Sequence, residues 1–426
     1  MAGGLAAVQP DLDLAVSLFD GLNRATRTGR GIVRDSYGPG EQAAHDIVRS
    51  AADAIGLESS VDAIGNLTMT LPGRDRSAPR VLMGSHLDSV PQGGNYDGAA
   101  GVVAGLSVLS ALKKSGVEPP HDIAVMGIRA EESAWFDVPY IGSGGAFGLL
   151  DPGSLSVRRS DGRCTLEEAL LGAGLDPQPI RSRERLLDPS RIRAFLELHI
   201  EQGPTLVGRG LPAGVVTGIR GCRRFRHARC IGEYAHSGAV NREYRHDAVA
   251  ATVALLHHLE GVWLQQERSG ADLVFTAGEL YTDPAMHGPS KIAGETHFVL
   301  DLRSVSDATM DALAAEARRA AARIGESYRV SFDLGATSDS PPAVMDERLR
   351  ACLMRLLDQP FELPSGAGHD AAIFAKMGIP TAMIFVRNER GSHNPDEAMT
   401  MEDFGVATRA LLGLVMDLPA ELRGAR

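Results

Sequence analysis

An apolar run at 80–85, a helix-patterned stretch at 101–114 and a second apolar run at 123–128 constrain this chain more than any other feature. Two short buried strands joined by a helical crossover form a β-α-β unit, and its strands lie parallel in a sheet covered on both faces. Further buried runs at 194–200 and 381–386 extend that sheet. Asn66–Leu71 alternates as a strand and ends at the turn-forming Pro72-Gly73. Apolar spacings of three and four predict helix across 12–57 and again across 401–418. The fold class is therefore α/β, with a mixed, largely parallel sheet flanked by helices.

Residues 213–332 read differently. Their order is strand (215–231), helix (245–260), strand (272–280), strand (295–303), helix (307–324) and strand (328–333). This β-α-β-β-α-β order predicts an inserted ferredoxin-like domain. The 426 residues exceed what one hydrophobic core serves, so the expectation is a catalytic domain at 1–212 and 333–426 interrupted by an inserted domain at 213–332. A net charge of −11 argues against a nucleic-acid partner, and the basic stretch Arg220–Arg229 alternates as one face of a strand does. Cys164, Cys222, Cys230 and Cys352 are scattered, which disfavours a thiolate metal site or a disulfide framework. No apolar run approaches the roughly 20 residues that span a bilayer, and the first residues lack a secretory pattern; a cytoplasmic, membrane-free protein is expected.

The residues with chemical potential follow predicted strands. In open α/β sheets the carboxyl ends of strands face the ligand crevice. Gly84-Ser85-His86-Leu87-Asp88 ends the first run: His86 offers a ring nitrogen to a metal, and Asp88 can hold the other. Asp97 sits in a glycine-rich turn opening a helix, where it is either an N-cap or a carboxylate able to bridge two cations. Glu131-Glu132 follows the second run; adjacent buried acids are costly unless positive charge lies between them. His199 ends the run at 194–200, and His393 follows the one at 381–386. Each has an ordinary reading alone, as a solvated acid, a cap or a core histidine. Together they make an imidazole and carboxylate set without thiolates, suited to zinc, manganese, cobalt or nickel, and a pair of such ions can activate water.

The segments GSHLDSVPQGGNYDG, RAEES, ELHIEQGP and GSHNPDEA, in this order, resemble the carbamoylase branch of the dinuclear-zinc aminoacylase and exopeptidase clan. That branch holds the N-carbamoyl-L-amino-acid hydrolases, β-ureidopropionases and allantoate amidohydrolases. The likeness runs from about residue 15 to 418, and the HIEQGP segment carries the branch assignment. The resemblance implies two divalent ions per subunit, zinc foremost, held by His86, Asp97, Glu132, His199 and His393, with Asp97 bridging. It makes Glu131 the general base and Asp88 the residue that orients His86. Gln202, Gly368, Ser290 and Arg303 match positions that contact substrate, Arg303 gripping its carboxylate. His236 matches a lid histidine that reaches the developing oxyanion, often across a homodimer formed by the smaller domain.

The chain departs from that pattern around the substrate. His236-Ser237-Gly238-Ala239-Val240-Asn241-Arg242 stands where relatives carry His-Ala-Gly-Thr-Thr-Pro-Met, Ser290 replaces an asparagine, and Ser133-Ala134-Trp135-Phe136 replaces Gly-Ser-Arg-Phe. Arg242 and Lys291 add charge and Trp135 a flat apolar face, which implies a substrate larger or more acidic than a simple N-carbamoyl amino acid. The expected activity is hydrolysis of a C–N bond in a small carboxylate-bearing ureido or amide compound. An N-acyl amino acid amidohydrolase or dipeptidase is the alternative, and a non-catalytic small-molecule binder is a second.

Overall fold

The computed structural model describes residues 8–422. They divide into two compact units, one formed by 8–217 and 344–422 and the other by 218–343.

The larger unit is built on a nine-stranded mixed sheet. At its centre Ile123–Ile128, Arg80–His86, Ile192–Ile200 and Thr381–Val386 lie side by side in that order, all parallel. Leu67–Leu71 and Ala213–Ile219 flank this block antiparallel. Thr381–Val386, the last of these to be reached along the chain, therefore sits between Ile192–Ile200 and Ala213–Ile219, which are neighbours in sequence. Ile123–Ile128 and Thr381–Val386 are buried along their whole length, Arg80–His86 from Val81 onward, and Ile192–Ile200 everywhere but at Arg193, as strands covered on both faces require.

The helix Ala99–Lys114 is buried from Ala99 to Leu112 and packs on this block. Gly101 permits the approach: a Cβ there would meet the Leu198 carbonyl and lie 2.6 Å from the Ser85 Cβ. The helix start is thus pressed onto the ends of Arg80–His86 and Ile192–Ile200, and this fixes where the preceding Asp97 sits. Helices Leu12–Thr26, Pro39–Ile55 and Met401–Met416 complete that face of the core. The helix expected across 12–57 is broken by a short antiparallel pair, Arg27–Thr28 with Gly31–Ile32. Gly29 at φ +66° and Gly38-Pro39 interrupt helical dihedrals there, although the apolar spacing continues through them.

The smaller unit carries a five-stranded antiparallel sheet with Val274–Tyr281, Glu295–Ser304, Gly221–Ile231 and Ser331–Asp333 in that order, Thr337–Ser340 also pairing with Gly221–Ile231. Helices Ala248–Arg268 and Asp307–Tyr328 cover one face, around a core that includes Phe225, Leu255, Phe298, Leu300 and Leu313. The single strand expected at 215–231 is two strands in two sheets, separated at Arg220. For this reason the unit begins at Gly218 and not 213, and it runs on to Ala343 because Thr337–Ser340 pairs within it. Four arginines of its basic stretch are matched to acids: Arg220 to Asp272, Arg223 to Asp307 and Asp311, Arg224 to Asp301, and Arg229 to Asp333. All four cysteines are free thiols, and among the described residues no helix is long and apolar enough to cross a membrane.

Candidate metal centre

Because the four central strands run parallel, their carboxyl ends share one rim, and the loops leaving that rim bring His86, Asp97, Glu131, Glu132, His199 and His393 around one cavity of about 160 Å³. Asp97 is the centre of the cluster. Its Oδ1 lies 3.3 Å from His199 Nε2 and 3.7 Å from His86 Nε2, and its Oδ2 lies 3.2 Å from His393 Nε2. Glu132 Oε1 is also 3.2 Å from His393 Nε2. Two groups of candidate ligands result, His86–Asp97–His199 and Asp97–Glu132–His393, with Asp97 common to both.

The ring orientations suit coordination. His86 Nδ1 lies 3.1 Å from the Asp88 carbonyl and His199 Nδ1 2.9 Å from the Ile200 carbonyl. With the proton on Nδ1 in both rings, each Nε2 presents a lone pair to the cavity. Asp97 Oδ1 is buried and accepts no hydrogen bond, an expensive condition for a carboxylate oxygen unless a cation completes it. The electrostatics say the same. Burial disfavours the His86 imidazolium, yet Asp88, Glu131 and Asp97 outweigh it and raise its pKa well above the ordinary value. Hydrogen bonds to Asp97 and Glu132 push His393 up to about 10. Burial, with the positive field of its neighbours, drops His199 to about 4. Burial pushes the Glu131 carboxyl well up, opposed by His86 and reinforced by Glu132, Asp370 and Asp88. This is an acid cluster that demands positive charge, and its nitrogen and oxygen donors suit divalent transition ions.

The matching family model, described as peptidase family M20/M25/M40, covers residues 82–417, which include every residue of the cluster. The chain belongs to peptidase family M20/M25/M40. Relatives within reach of this family member include an N-carbamoyl-L-amino acid amidohydrolase of Geobacillus stearothermophilus, 36% identical over 91% of this chain and 93% of that one. The allantoate amidohydrolase of Escherichia coli is 32% identical over 90% and 92%. Among solved structures, a hydantoinase/carbamoylase family amidase from Burkholderia ambifaria superposes with a TM-score of 0.86 at 29% identity, covering 97% of each chain.

In this M20/M25/M40 chain the residues expected around substrate divide between the two units. Gln202 and Gly368 line the cavity. Gln202, at φ +62°, donates from Nε2 to Asp97 Oδ2 at 3.0 Å, so it braces the carboxylate as well as facing the cavity. In the smaller unit, Ala235–His236 pairs with Lys291–Ile292, and Ser237 donates to the Ser290 carbonyl, which gathers His236, Ser290 and Lys291. His236 Nδ1 accepts from Gly238 and Ala239 N–H at 3.1 Å, leaving Nε2 as the outward nitrogen. Arg242 is exposed, and Arg303 lies against Asp301 at 3.0 Å. Trp135 is not a substrate face. It is buried in a core cluster with Phe136 and Ile141, donates to the Ser89 carbonyl and is capped by Arg159.

Asp88 does more than orient His86. Its carboxylate accepts the backbone N–H of Glu131 at 3.0 Å and of Glu132 at 3.2 Å, and the Ser36 hydroxyl at 2.8 Å, so it ties the acidic loop to the histidine strand. Several supports were not singled out in the sequence. Arg34, fully buried, donates to the Leu87, Asn95 and Asp97 carbonyls. Glu397 accepts from Tyr96 N–H, Asp97 N–H and the Ser392 hydroxyl. Glu41 accepts the Ala130 N–H and pairs with Arg129. Glu197, His199 and His369 form a third close group, but Glu197 is engaged by Ser85 and Ala371 N–H and His369 by Ser365, so they form a wall behind His199. Gly142-Ser143-Gly144-Gly145 lies in the short helix Ile141–Ala146, where the Ser143 hydroxyl donates to Asp370.

Proposed function

We propose that this protein is a metal-dependent amidohydrolase that opens a C–N bond of a small carboxylate-bearing ureido compound, an N-carbamoyl amino acid or an allantoate-like acid. One observation carries the reading: a single buried carboxylate, Asp97, divides its oxygens between His86 with His199 and Glu132 with His393, while Glu131 stands 4.0 Å from the His86 ring. The names of the relatives supply the substrate class.

His86, Asp97 and His199 would hold one divalent ion, and Asp97, Glu132 and His393 a second, zinc first and manganese, cobalt or nickel next. Such a pair lowers the pKa of water and polarises a carbonyl oxygen. Glu131, the one acid of the cluster outside both ligand groups, takes the proton of the attacking water. Water oxygen bonds to the carbonyl carbon, the carbon–nitrogen bond breaks, and Glu131 returns the proton to the departing nitrogen. A carbamoyl substrate then yields the amine, ammonia and carbon dioxide. His236 supports the developing oxyanion and Arg303 grips the substrate carboxylate, with Ser290 and Arg242 nearby in the same unit. The smaller unit, whose element order is that of a ferredoxin-like domain, serves as lid and as the contact of a cytoplasmic homodimer.

The test is a panel of N-carbamoyl, N-acyl and ureido acids, with acidic and neutral side chains, assayed with zinc, manganese and cobalt. Ammonia release from carbamoyl substrates is expected; hydrolysis of N-acyl substrates alone transfers the assignment to an aminoacylase. Glu131→Gln should keep its metal content and lose turnover by about 10²-fold or more. Full activity of that variant removes Glu131 from the mechanism.

A further inference from the structure

The segment that leaves the paired glutamates is held in an unusual backbone path. Ala130, Asp137 and Tyr140 all have positive φ, at 49°, 49° and 58°, without being glycine. For a bulky aromatic residue this region is costly and persists only where the surroundings over-determine it. They do so at Tyr140: its N–H donates to the Glu131 carbonyl at 2.9 Å, and its carbonyl accepts from Gly144 at 2.7 Å. The next two residues, Ile141 and Gly142, donate to the Ala130 and Arg129 carbonyls.

The strain sets the phenol in the wall of the metal-centre cavity, beside Glu131 and Gly368. The hydroxyl touches Gly368 so closely that a Cβ on that glycine would run into it. Among the described residues the hydroxyl has no hydrogen-bond partner. Tyr140 is partly buried, and a hydroxyl that opens into a cavity without a protein partner is completed by what enters the cavity.

We propose that Tyr140 determines specificity: its hydroxyl oxygen accepts a hydrogen bond from the terminal amino group of a ureido substrate and so separates carbamoyl from acyl compounds. An N-carbamoyl and an N-acetyl amino acid differ at that end by NH₂ against CH₃, groups of nearly equal size. Only the first can satisfy the phenol. A site built to form such a bond rejects the analogue that lacks it, because its own polar group is then left unpaired. This inference rests on the amidohydrolase reading of the cavity.

The experiment compares kcat/KM for N-carbamoyl and N-acetyl forms of one amino acid in the metal-loaded full chain and in Tyr140→Phe, with bound metal and Tm measured on both. The expected result is a loss of about tenfold on the carbamoyl substrate with none on the acetyl one, at unchanged metal content and Tm. Equal losses on both substrates, or no loss, overturn the proposal. If the Phe variant does not fold, the unmodified protein decides alone: a carbamoyl-over-acetyl preference below about threefold overturns it. Wild-type protein that turns over neither compound nor any other ureido or acyl acid of the panel defeats the amidohydrolase reading itself and takes this proposal with it; acetyl turnover without carbamoyl turnover defeats the proposal and moves the assignment to an aminoacylase.

Discussion

Replacing Glu41 with alanine should destabilise the larger unit and disarm the site from behind. Glu41 is fully buried, its Oε2 lies 3.0 Å from Arg129 Nη1, and its carboxylate also accepts the backbone N–H of Tyr37 at 2.6 Å and of Ala130 at 2.8 Å. Its removal strands a buried guanidinium, which costs about 3–5 kcal/mol. With an unfolding entropy near 2.1 cal/mol/K per residue over roughly 300 residues, a loss of about 4 kcal/mol lowers Tm by about 6 °C. The Ala130 N–H also loses the acceptor that holds its positive φ immediately before Glu131, so kcat should fall by about tenfold even well below Tm. Calorimetry and ammonia release measure the two effects separately. The companion variant Glu41→Ala/Arg129→Met removes the stranded charge and should recover part of the lost stability. A Tm shift below about 2 °C for Glu41→Ala, or a double variant less stable than Glu41→Ala, would refute the argument.

Two further outcomes are expected. His45 is buried with neither ring nitrogen hydrogen-bonded, and burial, then the field of Arg129, holds its pKa well below the ordinary value. The unfolded chain therefore binds this proton first, and stability should fall as pH drops below about 6.5, by up to about 1.4 kcal/mol per pH unit for this group. His45→Leu should flatten that slope in denaturant titrations at pH 5 to 7; an unchanged slope rules His45 out as its source. Glu397→Ala deprives the Tyr96 and Asp97 N–H groups of their acceptor, and metal affinity measured by competition with a chelator should weaken by about 10- to 100-fold. Wild-type affinity in that variant would mean the Asp97 turn holds its shape unaided.

The sheet and the cluster of histidines and acids at its rim were legible in the chain because both depend on local signals. The largely apolar runs at 80–85, 123–128, 194–200 and 381–386 read as central strands, and their ends are where an α/β sheet displays its chemistry. The hairpin at 27–32 was hidden because apolar spacing carries on through it, and the break at Arg220 because strand-forming residues lie on both sides. Trp135 was misplaced since an indole reads alike in a pocket and in a core. Arg34, Glu41 and Tyr140 left no trace, as each acts through contacts with residues remote in sequence or through backbone strain, and Glu397, although inside the GSHNPDEA segment, gave no sign there of its bonds to Tyr96 and Asp97.

The position of Thr381–Val386 has a consequence for how the protein comes into being. During synthesis the ribosome delivers Ile192–Ile200 and Ala213–Ile219 long before the strand that must lie between them, and the whole of 218–343 intervenes. Until it emerges, a nascent chain holds two half-sheets with unpaired edges, the kind of surface on which misassembly begins. The same late arrival brings His393, so the cluster around Asp97 is complete only once the last central strand has been threaded home.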